Sequence, residues 1–494
     1  MSAEANAAAI TSVSRLRRRA FSLGAASGFD YAIQLLLPIV LVRCLDPEAF
    51  GQYRLLWLVV GTVMAIATLA MPASLFYFVP RADSAAARRL YINQTLLYLT
   101  AAGLISGIAV GPWNHWLPEN VRALAAHGLF VPTFVLLWVV ASLLDMLPTV
   151  DERVRWQAKA TIGLALLRAA GLSLAAIITR DLAVVFLVLL AFVTFKLMLL
   201  LAYVGRHHRL QGPILRWQVF AGQLKYAAPF GAGGALYALR GHGDQWAAAT
   251  LFPVTMFASF SIAAVLAPLL NVIRQAFSVA FVPSMSRLHA SGDVESTLEL
   301  NRRANVMTAS ILYPFLAFTF VFADDLVRVV YTAAYVDAVP VMRLYIGGLA
   351  ALTLELATVT FVMRQGTFVL GLNLATLPCS LALSWYAALR FGLPGAAVGS
   401  AVVAYVDRAL TLRRISRLTA MPVRRLQDWS TLARLLLLTI LVALLARYTA
   451  VMAFEQSQGI PRLLAGGVTM AAGCGLVQVW LGKTRAATSH GRWG

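Results

Sequence analysis

Long apolar stretches separated by short basic ones run the length of this chain. Stretches long enough to cross a bilayer as helices lie near residues 21–43, 55–79, 92–112, 127–148, 161–179, 181–204 and 224–241. Others lie near 248–273, 305–323, 340–362, 366–388, 392–412, 432–452 and 462–481. The pattern predicts an all-α, polytopic membrane protein of about fourteen transmembrane helices. The seventh stretch is the weakest, because Pro229, Gly231, Gly233, Gly234 and Arg240 interrupt it. The N-terminus runs polar, basic, then apolar, as a signal peptide does. Its apolar part from Phe21 to Leu45 is too long for that role and no small-residue cleavage site follows, so it reads as a retained first helix.

Composition agrees. Of 494 residues, 60% are hydrophobic and 13% charged, against about 25% charged in soluble domains. The formal charge of +20 does not point to nucleic acid, because the basic residues form no single patch. They recur in clusters on alternate loops, the positive-inside pattern. One side holds Arg15 to Arg19, Arg81, Arg88, Arg89, Arg153, Arg155, Lys159, Arg206, Arg209, Arg216 and Lys225, then Arg287, Arg302, Arg303, Arg413, Arg414, Arg417, Arg424 and Arg425. The other carries mostly single residues: Arg54, Arg122, Arg180, Arg328 and Arg390. This places the N-terminus, and the C-terminus with Lys483 and Arg485, on the cytoplasmic side of the membrane.

No loop is long enough for an extramembrane domain, which argues against a membrane-bound enzyme. The outer segment with Trp113, His115, Trp116 and Glu119 reads as an interfacial anchor. Cys44, Cys379 and Cys474 show no metal or redox spacing. No Walker A sequence is present. No cofactor or metal is therefore expected, and transport would draw on an ion gradient, the membrane potential or substrate flux.

A faint duplication is visible. Leu45-Asp46-Pro47, Phe50-Gly51-Gln52-Tyr53 and Phe78-Val79-Pro80 are followed by Leu251-Phe252-Pro253, Phe257-Ala258-Ser259-Phe260 and Phe281-Val282-Pro283. The offsets are 207 (257 − 50) and 203 (281 − 78). Six helices separate the copies, an even number, so both keep one orientation and form a parallel repeat. Residues 1–212 and 213–415 would be two six-helix lobes, and residues 416–494 two additional helices with a tail.

Ionisable groups inside spans mark cavities or partners. Ser27, Asp30, Tyr31 and Gln34 share a face of helix one; Tyr237, Arg240 and Asp244 line up on helix seven; Asn271, Arg274, Gln275 and Ser278 form a stripe on helix eight. Arg274 lies too deep to snorkel easily. Arg240 and Asp244 read equally as a surface ion pair. Arg168 and Lys196 are further basic candidates, Lys196 with snorkelling as its alternative. These groups suggest a hydrated, net basic cavity between the lobes that receives an anionic substrate through Arg274, Arg168, Lys196, Arg240, Asn271 and Gln275. Among the acids Asp30, Asp145, Glu355 and Asp407, with Asp244, the candidates for a coupling ion are Asp30, Glu355 and Asp244, while Asp407 reads as a structural pair with Arg408. The cavity reading needs the cations to be met by water and an acidic headgroup; Arg274 and Arg168 pointing at lipid, or tied up in tight salt links with no space between the lobes, would remove it. Pro38, Pro72, Pro229 and Pro268 are hinges or ordinary kinks, and Gly103, Gly107 and Gly111 a packing seam.

The stretch from Leu41 to Tyr53, with Tyr77-Phe78-Val79-Pro80-Arg81 after helix two, resembles the polysaccharide-transporter branch of the superfamily that also holds multidrug and toxic-compound extrusion proteins. The second copy departs from that pattern, with Ala258-Ser259-Phe260 in the place of Gly-x-Tyr. The resemblance implies two six-helix lobes and a flippase moving undecaprenyl-diphosphate-linked oligosaccharide from the cytoplasmic to the periplasmic leaflet, for exopolysaccharide, capsule or O-antigen. Its partners would be the lipid-linked oligosaccharide, membrane lipids, and a polysaccharide polymerase with a chain-length regulator. The alternative is an ion-coupled drug or cation antiporter of the same superfamily.

Overall fold

The computed structural model describes residues 2–208, 212–455 and 459–490, with side chains from residue 22 onward except at 125, 272–273, 275–280 and 479–490. All secondary structure among the described residues is helical. The chain divides into two units, Met1–Leu239 and Arg240–Gly494.

In the first unit α1 is Ser2–Cys44, α2 Pro47–Ala67, α3 Met71–Phe78, α4 Ala85–Ala109, α5 Phe130–Ala141, α6 Val154–Thr179 and α7 Leu182–His207. The helix α8, Trp217–Leu251, carries the boundary between the units. The second unit continues with α9 Val254–Ala264, α10 Leu266–Ala290, α11 Val294–Val321, α12 Ala338–Ala350, α13 Ala357–Val362, α14 Gly366–Phe391, α15 Val398–Thr419, α16 Trp429–Ala453 and α17 Ile460–His490.

Short polar side chains start these helices by accepting from amides that lack a partner within the helix. Asp46 accepts from the Ala49 amide at 2.8 Å, with Pro47 in the first turn. Ser84, Asp181, Asp293 and Asp428 cap α4, α7, α11 and α16 in the same way. Leu166, Ile178, Leu187, Val468 and Leu476 are exposed; apolar side chains in such number on the outside suit lipid, not water.

Twelve helices among the described residues are long and apolar enough to cross a membrane, and the chain is a multi-pass membrane protein. The expected seventh and tenth runs are the two missing from that set. The seventh lies in α8, which is long enough but carries Gln223, Lys225, Arg240, His242 and Asp244 among its glycines. The tenth is interrupted: α12 passes through a single turn to Thr353, the backbone turns extended at Leu354, and α13 resumes at Ala357. The second run is interrupted too. Leu69 and Ala70 take positive φ between α2 and α3, and the Tyr98 hydroxyl donates to the freed Ala67 carbonyl at 2.9 Å. Pro72 and Pro268 each follow a break in their run, whereas Pro38 and Pro229 sit inside unbroken helices.

Glycines set the closest approaches. A Cβ at Gly103 or Gly107 would lie 3.1 Å from the Leu136 carbonyl or 2.9 Å from that of Pro132, so both belong to the expected seam, against α5. Gly399, on α15, is tighter: its Cβ would come within 2.1 Å of the Ser380 carbonyl on α14. Gly399→Val should therefore destabilise the protein by about 1–3 kcal/mol or more. Gly371→Val, where a Cβ meets nothing, should not. Thermal unfolding of both variants in detergent checks this; equal midpoints would refute the packing argument.

Beyond the end of α5 the chain is pinned by a buried trio. Asp151 accepts from the Tyr203 hydroxyl at 2.8 Å and pairs with His208 Nε2 at 2.6 Å. Burial pushes the Asp151 carboxyl up, but the hydrogen bonds from His208 and Tyr203 and the nearby positive charge outweigh it and hold the group below the usual carboxylate range. A lowered pKa stabilises the fold above the ordinary carboxylate range, and that contribution is lost as pH falls through the lowered value.

Candidate functional site

The interruption between α12 and α13 creates a polar buried site in the second unit. Breaking a helix at membrane depth frees backbone groups that lipid cannot satisfy. Two side chains from distant positions take them up, and a third braces those two. Asn301 Nδ2 donates to the Glu355 carbonyl at 2.9 Å, and the Glu355 amide donates to Asn305 Oδ1 at 3.0 Å. Asn305 Nδ2 donates to Gln427 Oε1 at 2.9 Å, and Gln427 Nε2 closes the ring on Asn301 Oδ1 at 3.2 Å. All three amides are buried. The Glu355 carboxylate itself accepts from the Ala357 amide at 3.0 Å, starting α13.

The other Glu355 oxygen takes Arg274, whose Nε lies at 3.1 Å. Arg274 Nη1 also donates to Asn271 at 3.0 Å. Beside this pair lies a second. Asp407 accepts from Arg408 at 2.9 Å and lies 3.7 Å from Arg240, while Arg240 reaches Thr376 at 3.5 Å. Arg408 is within electrostatic reach of Arg274, Glu355 and Arg240. The cluster thus sets three guanidiniums against two carboxylates, a net charge of +1, and Arg408 Nε is buried with no partner. Asp244 does not join Arg240; it is buried, accepts from the Tyr345 hydroxyl and from the Gln245 amide. The Gln275 and Ser278 side chains lie outside the described residues.

The first unit repeats the theme. Its fourth apolar run also changes character at an acid: α5 gives way to a tight turn over Ser142–Asp145. Asp145 accepts from Lys196 at 2.8 Å, and the Lys196 ammonium lies 5.2 Å from the Trp138 ring centre, a cation–π distance. Lys196 is buried and does not snorkel. Glu355 follows Asp145 by 210 positions (355 − 145), close to the offsets of the duplicated motifs. Elsewhere Arg168 pairs with Asp30 at 2.9 Å, and Gln34 donates to the same carboxylate at 2.8 Å.

Two outcomes differ from the sequence reading. Arg274, Arg168 and Lys196 were expected as uncompensated cations, and each is matched by an acid. Buried charges stand only with such partners. Arg408 forms the expected pair with Asp407, but not at a helix end: the helix runs on to Thr419, so Arg408 sits well inside it, within electrostatic reach of Arg274, Glu355 and Arg240. Among the described residues no group of histidines, cysteines and acids could hold a metal ion.

The sequence model of a family described as polysaccharide biosynthesis protein matches residues 40–340. No curated protein matches the sequence. Among solved structures, the chain is similar to the lipid II flippase MurJ in an inward closed conformation, with TM-score 0.69, 11% identity, and 93% of this chain and 99% of that one covered. It is also similar to an inward-facing MATE multidrug resistance transporter of the MOP superfamily, with TM-score 0.62, 13% identity, and coverage of 79% and 96%. A mutant of the Vibrio cholerae MATE transporter VcmN gives 0.54, 13%, 84% and 99%. At these identities the likeness is one of fold.

Proposed function

We propose that this chain, which belongs to the polysaccharide biosynthesis protein family, is a flippase that carries undecaprenyl-diphosphate-linked oligosaccharide from the cytoplasmic to the periplasmic leaflet of a bacterial inner membrane, both of its termini being cytoplasmic. The observation that carries the reading is the family match over residues 40–340. The fold shared with a lipid II flippase supports it. The site adds a chemical means. A diphosphate offers a guanidinium the same bidentate contact as a carboxylate, with a second phosphate to engage a neighbouring cation. The headgroup displaces Glu355 from Arg274, and its second phosphate meets Arg408 or Arg240. Glu355, released from its cation, then takes up a proton or a sodium ion, which couples the cycle to a gradient. Asp30, paired with Arg168, and Asp244 are the other groups proposed to bind the coupling ion. A polysaccharide polymerase and a chain-length regulator would act on the product.

A drug or cation antiporter is the second reading. It is favoured by the fold shared with MATE transporters and by Asp244, a buried carboxylate bonded to a hydroxyl and an amide.

Proteoliposomes holding the purified protein separate the two. Movement of a fluorescent undecaprenyl-diphosphate oligosaccharide between leaflets, with no uptake of a lipophilic cation, is the expected result. Cation uptake without lipid movement would overturn the flippase reading. In the same assay Glu355→Gln should abolish the dependence of the rate on pH; a dependence that persists would remove Glu355 from coupling.

A further inference from the structure

At the start of α16 and alongside α11 lies a cleft of about 1040 Å³, lined chiefly by Arg302, Arg303, Arg424, Arg425, Gln427 and Trp429. It is separate in composition from the buried cluster around Arg274. Four guanidiniums face two acids. Glu299 holds Arg302 at 2.8 Å and Arg303 at 3.0 Å. Asp428 is engaged in capping α16 through the Thr431 amide at 3.1 Å. That leaves a net charge of +2 around the cleft. The exposed guanidiniums of Arg424 and Arg425 have no ion pair or hydrogen bond among the described residues, and Arg302 Nε is buried with no partner.

The setting decides what such a cleft meets. Trp429 is the first residue of a membrane-spanning helix. Its ring is 39% exposed while its Nε1 donates to the Val423 carbonyl at 3.1 Å. A ring with one wet end and one apolar face is the usual marker of headgroup depth. Arg302 and Arg303 project from the first turns of another spanning helix, α11. Arginines gathered at that depth meet lipid phosphates before any solute.

We propose that this cleft binds the phosphate of an anionic membrane lipid, with Arg424, Arg425 and Arg302 as its donors and Trp429 packed on the glycerol and first acyl carbons. The site stands independently of the transport reading. Because Gln427 lines it and also holds Asn301 and Asn305, an occupied cleft steadies the wall on which the helix interruption hangs.

The test measures binding of fluorescent phosphatidylglycerol and phosphatidylcholine to the full-length protein in detergent. The variants are Arg424→Gln/Arg425→Gln and, as a control with equal charge removed, Arg413→Gln/Arg417→Gln, both exposed pairs of which the second does not line the cleft. Phosphatidylglycerol should bind in preference to phosphatidylcholine. The first variant should weaken it roughly 30-fold, at about 1 kcal/mol per arginine near a charged surface, and the control should not. Equal losses in both variants would overturn the site in favour of diffuse surface charge. Equal binding of inorganic pyrophosphate, with no lipid present, would overturn the lipid as its source. Unchanged binding in the first variant would overturn it outright.

Discussion

Arg274→Ala should eliminate the proposed oligosaccharide export while the protein still inserts into the membrane. Truncating one partner of a buried charge contact costs about 2–5 kcal/mol, which is roughly a 30-fold loss or more. Two causes could produce that loss. One is the missing contact to the diphosphate; the other is Glu355 left buried without its cation, itself worth about 3–5 kcal/mol of stability. The double variant Arg274→Met/Glu355→Met separates them. Replacing both members of a buried pair by apolar side chains of similar volume is often neutral. The double variant should thus regain most of the thermal stability lost by Arg274→Ala and still fail to export. Export at the normal rate by either variant would take Arg274 out of the mechanism.

The second large effect concerns Asn305, which is fully buried. Asn305→Leu strips the Glu355 amide of its acceptor and Gln427 Oε1 of its donor. Each orphaned group costs about 1–3 kcal/mol, so the total is roughly 2–6 kcal/mol. Asn305→Asp retains the acceptor but sets an uncompensated buried carboxylate against the Asn301 and Gln427 amide oxygens, so at neutral pH its loss should be at least as large. Thermal unfolding in detergent, followed by tryptophan fluorescence, ranks the two. A Leu variant as stable as the parent would show that the interruption holds without its amide ring.

Much of the fold could be read from the apolar runs, because lipid forces each spanning segment to be long, apolar and helical. The interruption at Leu354 could not. Its neighbourhood reads Leu352-Thr353-Leu354-Glu355-Leu356-Ala357, which suits a continuous helix. The groups that make a break tolerable, Asn301, Asn305 and Gln427, lie about 50 residues away in the chain or further. The candidate site was half legible. Arg274, Glu355, Arg168, Asp30 and Lys196 were all singled out as costly groups in apolar runs, yet spacing along a helix says nothing of partners on other helices. The pairs Arg274–Glu355, Arg168–Asp30 and Lys196–Asp145 are therefore products of tertiary packing. Arg408 reads from the sequence only as the partner of Asp407 because the apolar run that carries it fades near residue 412. Seven further residues of helix turn an apparent end into an interior.

Glu355 answers to two masters, the Ala357 amide that opens α13 and the Arg274 guanidinium. The first is part of the backbone's own architecture; the second is a side chain from another helix. In the earlier unit the acid at the matching place, Asp145, takes its cation from α7, whereas Glu355 takes one from α10. The two acids, 210 positions apart (355 − 145), therefore draw their counter-ions from different helices. A counter-ion carried on another helix can be moved or exchanged while the acid and the helix it starts stay as they are.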